Sequence, residues 1–268
     1  MYQLNPTRLT YCRTVIGAVL TAGLLLTTPA HGQQGTYNPA APVAPSAAQM
    51  DEPLKLIAAA KKVYDGQVKD YSCLFIKKER INGRLQDDNV ISMQVRKKPF
   101  SVYMLWFAPR ESKGQEACYV EGKNGGQMRI HATGLRGAVG FVGIDPNDPR
   151  VQKNSRHSIT EAGIGHLIEL YGQRWQQEKE MGRTVVHIAD YDYAKRKCVR
   201  VEMLHPYDNR YPFYRSVVYF DKVTTLPIRV ENYDWPRQGG TPGGDLLESY
   251  SYVQMRLNIG LGDDVFNH

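Results

Sequence analysis

Three histidines and two glutamates near the middle of the chain supply the imidazole and carboxylate groups that bind zinc in proteins. They are His131, His157, His166, Glu161 and Glu169. The three-residue step from His166 to Glu169 places both on one face of a helix. However, the spacing matches no zinc-site pattern, and a catalytic zinc needs three protein ligands in a fixed geometry. We therefore predict surface and capping histidines here, and no metal.

Other motifs with catalytic or binding chemistry are incomplete. The acidic run at 145–149, DPNDP, offers oxygen ligands to calcium, but its two prolines break the alternation of a calcium loop, which favours a surface turn. No serine lies in a G-x-S-x-G elbow, and no cysteine is flanked by catalytic signals. Carboxylates on strands, such as Glu79 and Glu116, more often form cross-strand ion pairs than acid–base pairs. We expect a protein that is not an enzyme and binds no cofactor.

The first 32 residues have the pattern of a secretory signal peptide. Arg8 and Arg13 form a positive start, residues 15–26 an apolar core, and Ala30-His31-Gly32 a small-x-small cleavage site. The apolar core has about 12 residues, fewer than the roughly 20 that span a bilayer. We predict cleavage near Gly32 and a periplasmic or secreted protein that is not integral to a membrane.

Charge and export together limit the partners. The formal net charge is +7, and loss of Arg8 and Arg13 with the signal peptide leaves +5. Because an exported protein does not meet nucleic acid, this basic excess suits anionic lipid headgroups, cell-wall polymers or simply solubility.

Cys12 is removed with the signal peptide, which leaves three cysteines in an oxidising compartment. Of the three possible pairings we predict a disulfide between Cys73 and Cys198, which joins an early strand to a late one, with Cys118 free. The other two pairings stay open on sequence alone.

The remaining chain is predicted to hold a tether and one domain, at 51–268. Residues 33–50 are rich in Pro and Ala and carry no charge, which is typical of a disordered tether. Residues 51–66 have apolar side chains at helical spacing. A second, amphipathic helix follows a capping box at 158–161 and has aromatic residues toward its end.

Elsewhere the apolar residues alternate with a period of two, which predicts antiparallel strands. A sheet of about ten strands is too long to stay flat, so we expect it to curl around the helices. The fold class is mainly β (α+β). The predicted strands are 71–80, 90–97, 100–107, 117–121, 127–131, 184–191, 198–204, 213–220, 228–233 and 247–257.

Several motifs resemble a bacterial family of secreted proteins of unknown function, over most of residues 51–266. The order of elements is also similar to the fold of the outer-membrane lipoprotein carrier (LolA-like). This resemblance implies an N-terminal helix and a strongly curved antiparallel sheet, a half-open barrel, with the second helix in its concave side. No activity transfers residue by residue. The motifs are DYSCLFIKKERINGRL (70–85), RKKPFSVYMLW (96–106), YVEG (119–122), SITEAGIGHLIE (158–169), FDKVTTLPIRVENYDW (220–235) and LNIGLGDDVF (257–266).

The position of Pro227 in the sheet is restricted, because proline has no N–H to donate to a strand ladder. Pro227 must begin its strand, sit at a bulge or lie on an edge. A carrier-like sheet that does not close has bends where such a proline costs little.

If the sheet is hollow, apolar and aromatic side chains line its interior; if it is filled, the same residues form an ordinary core. Both interpretations stay open. The candidates for a ligand cavity are Phe100, Val102, Met104, Trp106, Phe141, Val142, Tyr171, Trp175 and Tyr219.

The segment 132–157 combines regularly spaced glycines with apolar side chains, and loops of this length are usually functional or disordered. It is either a lid over the mouth of the sheet or a loop packed on the core by Phe141 and Val142.

These expectations lead to one hypothesis and one alternative. The hypothesis is an envelope protein that binds an apolar ligand, a lipid or the acyl chains of a lipoprotein, in a half-open barrel. The alternative is a non-enzymatic interaction or sensor module of the envelope with a packed interior.

Overall fold

The computed structural model describes residues 44–153 and 155–268. The predicted signal peptide, its cleavage site and residues 33–43 of the predicted tether lie outside the described residues. The end of the predicted tether is structured: Ala47–Met50 form a 3-10 turn capped by Ser46, and Met50 is buried in the main core. The folded domain therefore begins shortly before residue 51.

Twelve strands form one antiparallel sheet, which is curved and does not close. They are β1 (Asp70–Ile81), β2 (Arg84–Leu85), β3 (Asn89–Arg96), β4 (Ser101–Ala108), β5 (Glu116–Val120), β6 (Met128–His131), β7 (Val142–Ile144), β8 (Val185–Tyr193), β9 (Arg196–Leu204), β10 (Arg215–Asp221), β11 (Pro227–Tyr233) and β12 (Leu246–Leu257). The order across the sheet is β7-β6-β5-β4-β3-β1-β12-β11-β10-β9-β8, with β2 paired to β1. All ten predicted strands are present, and β2 and β7 are short additions.

Two long helices cover one face of the sheet, called here the inner face, and the opposite face is called the outer face. The helices are α1 (Asp51–Gln67), the short α2 (Pro149–Gln152) and α3 (Ile164–Met181). The main core lies between α1, α3 and the inner face, where Ile57 and Trp175 pack with residues such as Phe220. The predicted mainly β fold, with an N-terminal helix and a second helix against a curved antiparallel sheet, is confirmed.

The start of α3 differs from the predicted capping box. Ser158 caps only a 3-10 turn, Ile159–Glu161, and α3 begins after Gly163, which has a φ of 99°. The hydroxyl oxygen of Tyr71 accepts a hydrogen bond from the Ile164 N–H at 2.9 Å. A residue of β1 therefore caps the helix, and the sheet determines where α3 begins.

Pro227 lies where its chemistry requires. It is the first residue of β11 and pairs with Phe220 of β10, next to a register shift between Tyr219 and Phe220. Although β11 is an interior strand, a proline at its first residue and at a bulge removes no regular ladder hydrogen bond. The prediction for Pro227 is confirmed.

The predicted bridge between Cys73 and Cys198 is not present: Cys73, Cys118 and Cys198 are all free and buried. Cys73 lies in the main core on the inner face, whereas Cys198 packs with Val217 and Tyr219 in a separate cluster on the outer face. Three strands separate β1 from β9. A disulfide requires Cα atoms within about 7 Å of each other, which this arrangement does not provide.

Candidate functional site

A cavity of about 1120 Å³ lies on the inner face. Its sheet wall crosses eight neighbouring strands, from β7 to β11, a path of about 34 Å at about 4.8 Å per strand. The facing wall comes from α3 and from residues between 144 and 163. The interior of the curved sheet is thus not completely filled by its own side chains.

The two halves of the cavity differ in polarity. On β3 to β6 its lining is apolar except for Asn89, whose Oδ1 accepts a hydrogen bond from Trp106 Nε1 at 3.0 Å. On β1, β12 and β11 charged and amide groups enter the cavity. The apolar half contains Ile91, Met104, Trp106, Ala117, Met128 and Ile130. The polar half contains Lys77, Glu79, Asn232, Glu248 and Tyr250. A ligand that fills this cavity therefore meets an apolar surface at one end and hydrogen-bonding groups at the other.

Two buried carboxylates form the centre of the polar half. Glu79 of β1 and Glu248 of β12 are direct cross-strand partners, and each is 3% exposed. Strand alternation places them there, since Tyr71, Cys73 and Phe75 occupy the same face of β1. Like charges directly opposite each other on a sheet destabilise it unless they are compensated.

Two cationic side chains and a histidine compensate these carboxylates. The Lys77 ammonium lies 3.1 Å from Glu79 Oε2. Arg156 Nε donates to Glu248 Oε2 at 2.6 Å, and His157 Nε2 lies 3.2 Å from the same oxygen. Arg156 also donates its backbone N–H to Glu79 Oε2 at 3.3 Å. The segment before α3 is thus bound to both carboxylates.

Neutral groups satisfy the remaining carboxylate oxygens. The Tyr250 hydroxyl donates to Glu79 Oε1 at 2.6 Å, and Asn232 Nδ2 donates to Glu248 Oε1 at 2.8 Å. The Asn232 carbonyl oxygen in turn accepts from the hydroxyls of Tyr171, at 3.0 Å, and Ser216, at 2.7 Å. The network therefore connects β1, β12, β11, β10 and α3.

The network also shifts the pKa values of its members. Burial raises the pKa of Glu248, but hydrogen bonds and charge from His157, with help from Asn232 and Arg156, outweigh burial and lower this pKa to about 2. Burial acts to lower the pKa of His157, but Glu248 and Glu161 raise it above its ordinary value. Burial and the two carboxylates raise the pKa of Tyr250 far above its usual range. Glu248 is thus ionised, and Tyr250 remains a hydrogen-bond donor.

The sequence patterns did not predict this network. They favoured a cross-strand ion pair for Glu79 and a surface or capping role for His157, and they assigned no role to Lys77, Glu248 or Tyr250. One signal was available, because the apolar alternation of β1 continues into Lys77 and Glu79. That Glu248 lies opposite Glu79 follows only from the pairing of β1 with β12.

The structure brings three of the nine predicted cavity residues into the cavity: Met104, Trp106 and Tyr171. Val102 and Trp175 are buried in the main core, and Phe100 packs against it. Tyr219 lies on the outer face, where it contacts Tyr191 and Tyr193. The last two, Phe141 and Val142, belong to the segment described next.

The segment 132–157 has two parts. In its first part, Phe141 packs between the rings of His131 and His268 at the sheet edge, while Val139 and Val142 are exposed. In its second part, Ile144, Val151 and His157 border the cavity. The first part is thus packed on the sheet, and the second forms a wall of the cavity.

The five candidate zinc ligands do not come together at one point: His166 lines the cavity, and Glu169 Oε1 lies 3.7 Å from Lys61 Nζ. His157 lies between Glu161 and Glu248, and His131 pairs with Glu116 at 3.2 Å. Within residues 44–153 and 155–268, no group of three or more His, Cys, Asp or Glu side chains is placed to hold a metal ion. None of the helices in this part of the chain is long and apolar enough to cross a membrane.

Several solved structures resemble this chain. An uncharacterised conserved protein from Thermus thermophilus matches with 8% identity and a TM-score of 0.46, over 81% of this chain and 94% of that one. Lipoprotein LppX of Mycobacterium tuberculosis matches with 10% identity and a TM-score of 0.44, over 79% and 98%. A LolA superfamily protein from Nitrosomonas europaea matches with 11% identity and a TM-score of 0.31, over 80% and 96%. Because these similarities are low, we draw nothing about ligand or activity from them.

No curated protein matches the sequence. Residues 68–268, which contain every strand of the sheet and α3, match the family model described as "Protein of unknown function (DUF1571)". The predicted resemblance to a family of unknown function is thereby confirmed, and the chain belongs to the DUF1571 family.

Proposed function

We propose that this protein binds an amphipathic ligand, a lipid or the acyl chains of a lipoprotein, in the cavity on its inner face. The observation that carries the proposal is the continuous apolar wall of an unfilled cavity, from Ile91 on β3 to Ile130 on β6. Each methylene buried against this wall contributes about 0.8 kcal/mol. The volume of the cavity, about 1120 Å³, is slightly larger than the roughly 300–1,000 Å³ of typical small-molecule sites.

The proposed setting is the cell envelope, after export through the signal peptide at 1–32. The pattern of Arg8, Arg13 and the apolar core at 15–26 supports export. In that compartment the available ligands with long apolar chains are membrane lipids and acylated proteins.

We assign no reaction to the polar half of the cavity. Glu79 and Glu248 are the only carboxylates in the described part of the chain that are both buried and in the cavity wall, and their oxygens already accept hydrogen bonds from protein groups. A general acid or base must instead be able to exchange a proton with the substrate. Binding, followed by release to a partner, is the simpler use of this arrangement.

The first experiment is native mass spectrometry of the protein purified from the periplasm of an expression host, with organic extraction of any adduct. We expect a co-purified lipid, or uptake of a fatty acid on incubation. A clean apo mass that stays unchanged after incubation with lipids would contradict the proposal and favour the protein-interaction module.

A pair of variants tests the position of the apolar chain. Ala117 is 5% exposed and lines the apolar half, whereas Ala189 is exposed on the edge strand β8. Ala117→Phe fills space in the cavity, so we expect it to weaken binding of long-chain ligands at least about tenfold, equivalent to about 1.4 kcal/mol. Ala189→Phe makes the same change outside the cavity, and we expect it to leave binding unchanged. Thermal unfolding of both variants checks that they fold.

A further inference from the structure

Hydrogen-bond acceptors in the polar half of the cavity are already used by the protein. Glu248 accepts from Arg156, His157 and Asn232, and Glu79 accepts from Tyr250 and Lys77. The carbonyl oxygen of Asn232 likewise accepts from two hydroxyls. A ligand group that only donates hydrogen bonds therefore finds few free acceptors at this end.

A hydrogen-bond donor without a carboxylate partner in the described part of the chain, in contrast, is present in the cavity wall: the guanidinium of Arg174. This guanidinium lies over the rings of Tyr171, at 5.4 Å, and Phe213, at 5.1 Å, and it lines the cavity. Among the described residues, no carboxylate forms an ion pair with it. Arginine presents five N–H donors in a planar fork. Arg174 is half-buried and held by two aromatic rings, and no described carboxylate balances its charge.

The position of Arg174 matches the polarity of the cavity. It lies on the same wall of the cavity as Leu170, one helical turn before it, and His166, two turns before it. The helix α3 contacts β11, whose Val230 and Asn232 line the cavity at the end opposite to Met128 and Ile130 of β6. Around the rim, Arg84, Asp87, Glu111 and Lys153 are exposed charges of both signs, which water and salt screen.

We infer that the head group of the ligand is an anion, a carboxylate or a phosphate, bound by Arg174, with the apolar chain extending toward β4, β5 and β6. This inference rests on the proposed function, and it names the chemical class of the ligand. The guanidinium fork matches the two oxygens of a carboxylate or phosphate and forms two parallel hydrogen bonds with either group.

A fluorescent polyene fatty acid and its methyl ester provide the test, because the ester has the same apolar chain but a neutral head group with one oxygen methylated. We would measure binding of both probes at pH 8 to the wild type and to Arg174→Gln. We expect the wild type to bind the acid on the order of 10- to 150-fold more tightly than the ester. In Arg174→Gln the affinity for the acid should fall to that of the ester, while the affinity for the ester stays the same.

Two further variants separate a binding role from a structural one. Arg174→Lys keeps the charge but not the fork, so we expect it to retain part of the preference for the acid. Lys179→Gln removes a cation from the same helix outside the cavity, where Lys179 pairs with Asp51, and it should behave as wild type. Displacement of the bound acid by oleate and by monooleoyl phosphatidate then shows whether a carboxylate or a phosphate is preferred.

The outcomes distinguish the inference from the proposed function. If the wild type binds acid and ester equally, or if Arg174→Gln keeps the preference for the acid, the inference is overturned while ligand binding stands. If the wild type binds neither probe and neither displacing lipid, the proposed function itself fails, and the inference fails with it.

Discussion

At the scale of single residues, the pair of Glu79 and Glu248 is the most demanding feature of this molecule. Two carboxylates that face each other on adjacent strands, each 3% exposed, carry both a desolvation cost and mutual repulsion. The desolvation cost and the repulsion are offset only because Lys77, Arg156 and His157 all contact this pair of carboxylates. Removal of one member leaves its partners buried and unpaired, which is the costly state.

We therefore expect Glu248→Gln to lower the free energy of unfolding by roughly 3–5 kcal/mol, measured by urea denaturation at pH 7. Glu161→Gln is the matched control, because Glu161 also pairs with His157 but its side chain is 42% exposed. An exposed ion pair contributes about 1 kcal/mol or less. Equal losses in the two variants would contradict this account of the network.

The pH dependence of the same variant follows from the pKa shifts. The folded pKa of Glu248 is about 2, below the ordinary 4.5, so its contribution is present above pH 4.5 and is lost as the pH falls toward 2. The difference in unfolding free energy between wild type and Glu248→Gln should shrink over that interval.

The contribution of His157 to stability changes with pH in the opposite direction, because folding raises its pKa. Its raised folded pKa means that its contribution is complete below pH 6.5 and is lost as the pH rises through the folded value. In an NMR titration we expect His157 to titrate above 6.5 in the wild type and at a lower pH in Glu248→Gln. An unchanged His157 titration would show that the two side chains are not coupled.

At the scale of elements, the start of α3 determines how the helix lies over the cavity. The helix has no side-chain cap of its own; instead, Tyr71 of β1 accepts the hydrogen bond of its first N–H. The preceding Gly163 has a φ of 99°, and a Cβ added there would lie 2.5 Å from the Tyr71 hydroxyl oxygen. Both the backbone conformation and the close approach therefore require glycine.

Two glycine substitutions test this element. We expect Gly163→Ala to lower the free energy of unfolding by roughly 2–4 kcal/mol, because it adds backbone strain and disrupts the bond from Ile164 to Tyr71. Gly172→Ala is the control within α3, where an added Cβ meets only Ile57 at 3.9 Å. That change should stabilise the protein by about 0.5–1 kcal/mol. Thermal or urea unfolding measures both, and a loss of similar size at the two positions would contradict the role given to Gly163.

At the scale of the whole molecule, the sheet keeps the three described cysteines in separate clusters. Cys73 is in the main core, Cys198 in the cluster with Tyr219, and Cys118 in a third cluster with Val120 and Phe266. Burial raises the pKa of all three thiols, that of Cys118 to about 12. Because the thiolate is the reactive form, buried thiols with raised pKa values react slowly.

We therefore expect a reducing agent to leave the thermal unfolding temperature unchanged, and a thiol reagent to label the cysteines only after unfolding. Intact mass spectrometry before and after reduction makes the same test independently. A mass increase of two hydrogens on reduction, or a lower unfolding temperature, would show that a disulfide forms in the exported protein.

Local patterns in the sequence predicted most of the fold. Alternation of apolar residues identified ten strands, helical spacing identified α1 and the body of α3, and the missing N–H of Pro227 placed it at the start of a strand. These features depend on residues within one element or on one residue's own geometry, so they are readable without knowing which strands are neighbours.

The candidate site depends on contacts between residues that are far apart in the chain, and only the tertiary structure decided it. Glu79 and Tyr250 form a hydrogen bond across 171 positions, and Tyr71 caps α3 from 93 positions away. Contacts between distant residues also place Cys198 and Tyr219 together in a cluster on the outer face. Arg174 likewise depends on such a contact, with Phe213, which lies outside its helix. The sequence by itself determined the elements and their apolar sides. The pairing of β1 with β12 and the open curvature of the sheet determined which side chains meet and left a cavity between them, because register is a property of two strands and not of either one alone.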